Sequence, residues 1–252
     1  MPEAWSPLLV ASVAVAVFLI GFSKTAMPVS GMLAGPVLAA ALTPTTAAGF
    51  AVPLLVLGDL FGLALYRQHA DWSLIRRLVP GVLVGFALTA LLFRFVETGL
   101  LSRMLGVLIL VSVGLEVRRL RGDSRSDTEQ SAVPNRAVIA FYGTLAGMTS
   151  MAANAGGAAM SVYLVKMRVS MLAFMGTSVW FFFILNLIKV PFVVGLGFVS
   201  SSSLIADLWF TPVLVIGAGL GALAFRGMNP TTFTRIALAL SVLASLWLIV
   251  KG

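Results

Sequence analysis

Apolar residues in this chain run in continuous blocks. They cover roughly 5–22, 30–42, 46–66, 73–93 and 99–117, and after a polar stretch 135–152, 155–168, 171–194, 204–225 and 230–250. Most approach the about 20 residues with which an α-helix crosses a hydrocarbon core of about 30 Å. Continuous runs also exclude the alternating pattern of an outer-membrane barrel. Two blocks are too short for an ordinary crossing: 30–42 and 155–168 hold 13 and 14 residues, about 20 Å of helix each. Each follows a longer run across a polar, glycine-rich interruption. The first reads Gly21-Phe22-Ser23-Lys24-Thr25-Ala26-Met27-Pro28-Val29-Ser30-Gly31, the second Gly147-Met148-Thr149-Ser150-Met151-Ala152-Ala153-Asn154-Ala155-Gly156-Gly157. The pattern predicts a helix–break–half-helix element, used twice.

The two halves correspond beyond these breaks. At an offset of 126, Gly21 falls on Gly147, Ala26 on Ala152 and Gly31 on Gly157. At 127, Gly49 falls on Gly176 and Asp59 on Asn186. At 132, Pro80 falls on Pro212, Gly85 on Gly217, Phe93-Arg94 on Phe225-Arg226 and Arg103 on Arg235. Glycine matches come easily in such a composition, but the Pro, Phe-Arg and Arg coincidences at one offset point to duplication. The expected organisation is a transmembrane repeat over 1–117, a cytoplasmic polar linker over 118–134 and a second repeat over 135–252. Loop charge orients them. Arg67, Arg76, Arg77, the arginine-rich linker, Lys166 and Arg168 mark the cytoplasmic side, whereas 195–203 carries no Lys or Arg. Both termini then lie outside and the repeats are inverted, with Arg94 and Arg103 near the outer face as a mild exception. The fold class is thus an all-α polytopic membrane protein of two inverted repeats, each a helix–break–half-helix element plus three transmembrane helices.

Composition agrees: 60% of residues are hydrophobic and 10% charged, against about a quarter charged in soluble domains. The net charge of +8 is spread over short loops and helix ends, so no phosphate-tracking surface is expected and nucleic acid is excluded as a partner. There is no cysteine, which removes disulfides, thiol catalysis and thiolate metal sites. The first run lacks a preceding basic region, and a cleaved signal peptide is not expected. No metal or other cofactor is expected.

The breaks hold the candidate chemistry. Pro28 lacks an amide donor and ends helix geometry before it. Irregular backbone at membrane depth is tolerated only inside protein or along a wet cavity. Half-helices starting there would offer free amides at Val29, Ser30 and Gly31, and at Ala155, Gly156 and Gly157, and helix N-termini suit anions. The competing reading is that small residues merely permit close helix crossing. Lys24 is the sharpest single residue, because a cation within an apolar run is costly and faces a bundle interior or cavity, unless it snorkels to the surface. Its counterpart is Ser150. Asp59 lies mid-run, where it can pair with Lys24 or carry a proton, with Asn186 as neutral counterpart and Lys189 one turn beyond. Structural ion pairing is the alternative for Asp59 and Lys189. Thr25, Ser30, Thr149, Ser150, Thr177 and Ser178 supply hydroxyls, which also commonly satisfy helix backbone. The substrate-binding candidates are Lys24, Thr25, Ser30, Gly31, Thr149, Ser150, Asn154, Gly156 and Gly157. Asp59, Asn186 and Lys189 carry coupling or structural charge. Arg94, Arg226, Arg103, Arg235 and Trp5, Trp72, Trp209 and Trp247 read as interfacial anchors. Met27, Met32, Met148 and Met151 read as packing.

An enzyme is not expected. The sole histidine, His69, lies in a charged loop, and the chain has no HExxH, no paired-aspartate motif, no Ser–His arrangement and no Walker loop.

The stretch Gly21-Phe22-Ser23-Lys24-Thr25 with Gly31-Met32-Leu33-Ala34-Gly35-Pro36-Val37-Leu38-Ala39, and later Ala153-Asn154-Ala155-Gly156-Gly157-Ala158-Ala159-Met160-Ser161-Val162-Tyr163-Leu164, resembles the paired signatures of the TauE/SafE sulfite-exporter-like permeases. The resemblance extends over nearly the whole chain. The sequence departs from it at Ala26, Met27, Val29 and Ser30, where many members have more glycine. The resemblance implies a secondary transporter of sulfite, thiosulfate or small organosulfonates. Alternating access would then move an anion bound near mid-membrane at the half-helix N-termini, across the inner (plasma) membrane. The residues alone favour a small anion without selecting sulfur. A permease importing another small anion or metabolite, and a non-transporting membrane assembly subunit, remain as alternatives. The expected partners are the anion and the bilayer; homo-oligomerisation stays open.

Overall fold

The structure is a computed structural model that describes residues 5–42, 44–92, 95, 97–122, 135–153, 156–195 and 197–251. Every apolar run is helical: α1 (Pro7–Thr25), a 3-10 turn (Pro28–Leu33) leading into α2 (Ala34–Ala41), α3 (Pro44–Tyr66), α4 (Trp72–Leu92), α5 (Thr98–Gly122), α6 (Arg136–Ala153), α7 (Gly156–Lys166), α8 (Met171–Gly195), α9 (Ser201–Arg226) and α10 (Pro230–Lys251). No strand occurs among the described residues. Seven of these helices are long and apolar enough to cross a membrane, so the chain is an all-α polytopic membrane protein. The short α2 and α7 are the two half-helices.

Local chemistry sets the helix starts. The Ser6 hydroxyl accepts from the Leu9 amide at 3.3 Å ahead of Pro7, and Ser200 and Ser203 form a reciprocal capping box on α9. Asn135 and Asn229 accept from Ala137 and Thr232 at 3.0 and 2.8 Å to open α6 and α10. Side-chain oxygens here satisfy amides that a helix start leaves orphaned. Helix α5 continues to Gly122, so its backbone enters the arginine-rich stretch read as linker.

The chain forms two compact units, Met1–Asp71 with Met171–Met228, and Trp72–Ser170 with Asn229–Gly252. Each draws helices from both sequence halves. In the first, α1 lies along α9 and α3 against α8, around Val13, Val17, Ile20, Phe50, Leu54 and Leu214. In the second, α4 packs on α6, α5 on α10, and α7 is buried from Gly156 to Val165.

The helix pairs α1–α9 and α6–α4 close on glycine in the same way. A methyl group at Gly21 would strike the Leu214 carbonyl, and one at Gly217 the Phe18 carbonyl. In the other unit, Gly147 meets the Val82 carbonyl and Gly85 the Thr144 carbonyl. Advancing Gly21 and Phe18 by 126, and Leu214 and Gly217 back by 132, maps one set onto the other. The sequence offsets therefore relate contacts as well as letters. Lipid offers helices no hydrophobic reason to associate, so backbone approach through small residues supplies the packing.

Candidate functional site

The first break is a stop of a few residues. Helix α1 runs through Lys24 to Thr25, Met27 is extended (φ −164°, ψ 112°), and Pro28 opens the 3-10 turn. The Thr25 carbonyl, orphaned by the stop, and the Thr25 hydroxyl both find fixed partners. Tyr66 donates its hydroxyl to the Thr25 carbonyl at 2.7 Å, and Thr25 donates its own to the Ala218 carbonyl at 2.6 Å. Ser23 donates to the Ile20 carbonyl at 2.7 Å. Ser30 donates both its amide and its hydroxyl to the Met27 carbonyl, at 3.0 and 2.7 Å. This corrects the expectation of a free Ser30 amide: a 3-10 turn closes on itself one residue sooner than an α-helix. The hydroxyls of Thr25 and Ser30 are likewise held by backbone. Gly31 lies against Ser23, whose Oγ would stand 2.6 Å from an added methyl. Replacing Tyr66 by Phe leaves the Thr25 carbonyl without its donor. We expect a loss of about 1–3 kcal/mol, read as a lowered midpoint in thermal unfolding in detergent.

Lys24 does not snorkel. Its side chain is 9% exposed, and its Nζ lies 2.7 Å from Asp59 Oδ1. The stem passes over Gly58 of α3, where an added methyl would come within 3.0 Å of Lys24 Cγ. Asn186 donates to the other carboxylate oxygen, Asp59 Oδ2, at 2.7 Å. The ammonium also sits 5.6 Å from the Phe182 ring centroid, in range of a cation–π attraction. Lys189, one turn beyond Asn186 on α8, is close enough to interact electrostatically with both Lys24 and Asp59. The structure thus brings Lys24, Asp59, Asn186 and Lys189 together within one unit. Lys24 pairs directly with the carboxylate, and Lys189 follows one turn after its amide partner. Asp59 and Asn186, aligned at the offset of 127, meet because α3 and α8 pack on each other.

The second break lies in the other unit. Helix α6 ends at Ala153 and α7 starts at Gly156; Asn154 and Ala155 fall outside the described residues. The Thr149 hydroxyl donates to the Leu145 carbonyl at 2.7 Å. Ser150, Gly156 and Gly157 are buried. No cluster of three or more His, Asp or Glu residues that could hold a metal occurs among the described residues.

Three features escaped the sequence reading. Tyr66 holds the end of α1 from 41 residues away. Glu116 is buried on α5 with Lys166 of α7 at 3.9 Å. Asp207, 6% exposed on α9, has neither carboxylate oxygen hydrogen-bonded. Glu116 and Asp207 were visible as acids inside or beside apolar runs, the same signal that singled out Asp59.

The sulfite exporter TauE/SafE family model matches residues 13–248. The chain belongs to that family, a family of membrane transporters for sulfite-type anions rather than of enzymes. Searches of curated proteins and of solved structures return no match.

Proposed function

We propose that the protein exports small sulfur-containing anions, such as sulfite or organosulfonates, across the inner (plasma) membrane by alternating access. The observation that carries this reading is the buried Lys24–Asp59–Asn186 cluster beside the α1 break, with Lys189 one turn farther along α8. Ionisable groups inside a membrane span are costly and mark a substrate or ion path, and an anion that takes the place of Asp59 would be held by the Lys24 ammonium. Lys24 lies at the end of α1 next to the break, where its neighbours can rearrange without unwinding a continuous helix. Asp59 acts as the built-in counter-ion that Lys24 holds when the anion is absent, and Asn186 keeps that carboxylate in place. Gly31 lets the 3-10 turn approach α1. The second broken element is its counterpart: Gly156 and Gly157 open α7 with amides suited to an oxyanion, and Ser150 and Asn154 supply further polar groups, while the Thr149 hydroxyl stays on the Leu145 carbonyl. The membrane potential or protons supply the drive.

Radiolabelled sulfite and sulfonate flux into proteoliposomes, under imposed pH and voltage gradients, tests the proposal. Saturable, voltage- or pH-dependent flux of one of these anions is expected. Lys189→Gln should raise the anion KM roughly tenfold, about 1.4 kcal/mol, with little change in unfolding midpoint. If none of the anions moves under any gradient, the transporter reading of this site fails.

A further inference from the structure

Helices α5 and α10 run antiparallel within one unit. They touch near one end, where a methyl group at Gly106 would stand 2.7 Å from the Ser245 carbonyl and 2.9 Å from Leu248 Cβ. Toward the other end they part around a cavity of about 830 Å³, bounded by Val113 and Val117 of α5 and by Thr231, Thr234, Arg235 and Val242 of α10. Its polarity is graded. Thr231 and Arg235 lie in the first two turns of α10, whereas Val113 and Val242 lie deeper. The eleven-residue step from Thr231 to Val242 spans about 16 Å of helix, close to half of a hydrocarbon core of about 30 Å. Both helices qualify as membrane spans, so the groove runs from one membrane surface to about the midplane.

The occupant must match a polar, cationic mouth and an apolar floor one leaflet deep. A small oxyanion would be desolvated against valines with no donor there, which is costly. A crossing helix from a second copy would be covered over only half its length. A phospholipid fits both the depth and the gradient. Charge selects among lipids: Arg235 is exposed at the mouth, and exposed Arg118 follows Val117 at the same end of α5. The loop charges assign this end to the cytoplasmic side, and basic pockets between helices on that side suit anionic headgroups. We propose that the α5–α10 groove binds one anionic phospholipid, its phosphate on Arg235 with the Thr231 and Thr234 hydroxyls, and an acyl chain along Val117 and Val242.

Native mass spectrometry of the purified, delipidated full chain tests this, with phosphatidylglycerol and phosphatidylcholine of identical acyl chains titrated separately. Phosphatidylglycerol should bind about fivefold more tightly or better, as expected of a basic contact at the membrane surface. Arg235→Gln should erase that preference, weakening phosphatidylglycerol more than phosphatidylcholine. Ala239→Trp, filling the apolar floor from an exposed position that lines the groove, should weaken both lipids, and Val242→Phe should do the same if that variant is poorly folded. Equal affinity for the two lipids in the unaltered protein overturns the proposal, as does a preference that survives Arg235→Gln. Ala239→Trp and Val242→Phe variants that keep lipid but lose a dimer would assign the groove to a second copy. Displacement of lipid by sulfite would assign it to substrate; either result overturns the lipid site.

Discussion

Replacing Lys24 by Met is expected to cut anion flux by up to roughly 100-fold, and to lower stability at the same time. These losses have different causes and can be separated. Without the ammonium 2.7 Å from Oδ1, the buried Asp59 keeps only Asn186 as a direct partner among the described contacts. Removing one member of a buried ion pair costs about 3–5 kcal/mol. The flux loss follows from the contact Lys24 would make with the anion: a hydrogen bond to a charged group is worth about 1.5–3 kcal/mol, or up to roughly 100-fold. Replacing both partners with apolar residues of similar volume is often neutral, so Lys24→Met combined with Asp59→Leu should recover the unfolding midpoint without recovering flux. Lys24→Arg should keep part of both, since the charge remains but the fork does not fit the path over Gly58. Proteoliposome flux and thermal unfolding on the same preparations decide the matter. A double variant that regains stability and transports at the original rate would reduce Lys24 to a structural ion pair.

Much of this architecture could be read from the chain because it rests on local signals. Apolar runs marked every helix to within a few residues, and Pro28 and the glycine pairs marked both half-helices. Asp59 and Asn186 stood out as polar groups in apolar runs that align at one offset, and they pair where α3 packs on α8. What was hidden is tertiary. Nothing near Thr25 says that its carbonyl will take a hydroxyl from Tyr66, or that its own hydroxyl will reach Ala218 across 193 residues. The hydroxyls of Ser30 and Thr149 looked available for substrate, yet each bonds a carbonyl three or four residues back. Whether such a hydroxyl turns back onto its own helix or outward depends on the packing around it, and composition does not encode it. The Glu116–Lys166 pair joins helices separated by the polar linker, so only the fold reveals it.

Gly217→Val and Gly85→Val are expected to be comparably destructive, and their equivalence is the stronger part of the expectation. At both positions the added side chain points at a carbonyl of the facing helix, of Phe18 and of Thr144. Backbone cannot swing aside as a flexible side chain can, so the helices must separate. Overpacking commonly costs about 1–3 kcal/mol and sometimes more, and here it also forfeits the close contact that drives helix association in lipid. Gly219→Val and Gly114→Val are the controls, since nothing lies within 4 Å of either position, and both should express and melt like the unaltered protein. Monodisperse yield in detergent and the unfolding midpoint measure all four. Because Gly85 and Gly217 differ by 132 positions while their targets Thr144 and Phe18 differ by 126, a matched loss ties both helix pairings to one duplicated packing rule. Tolerance of Val at Gly85 beside collapse at Gly217 would mean that the two units hold their broken helices by different contacts, and the resemblance between the halves would then stop at the letters.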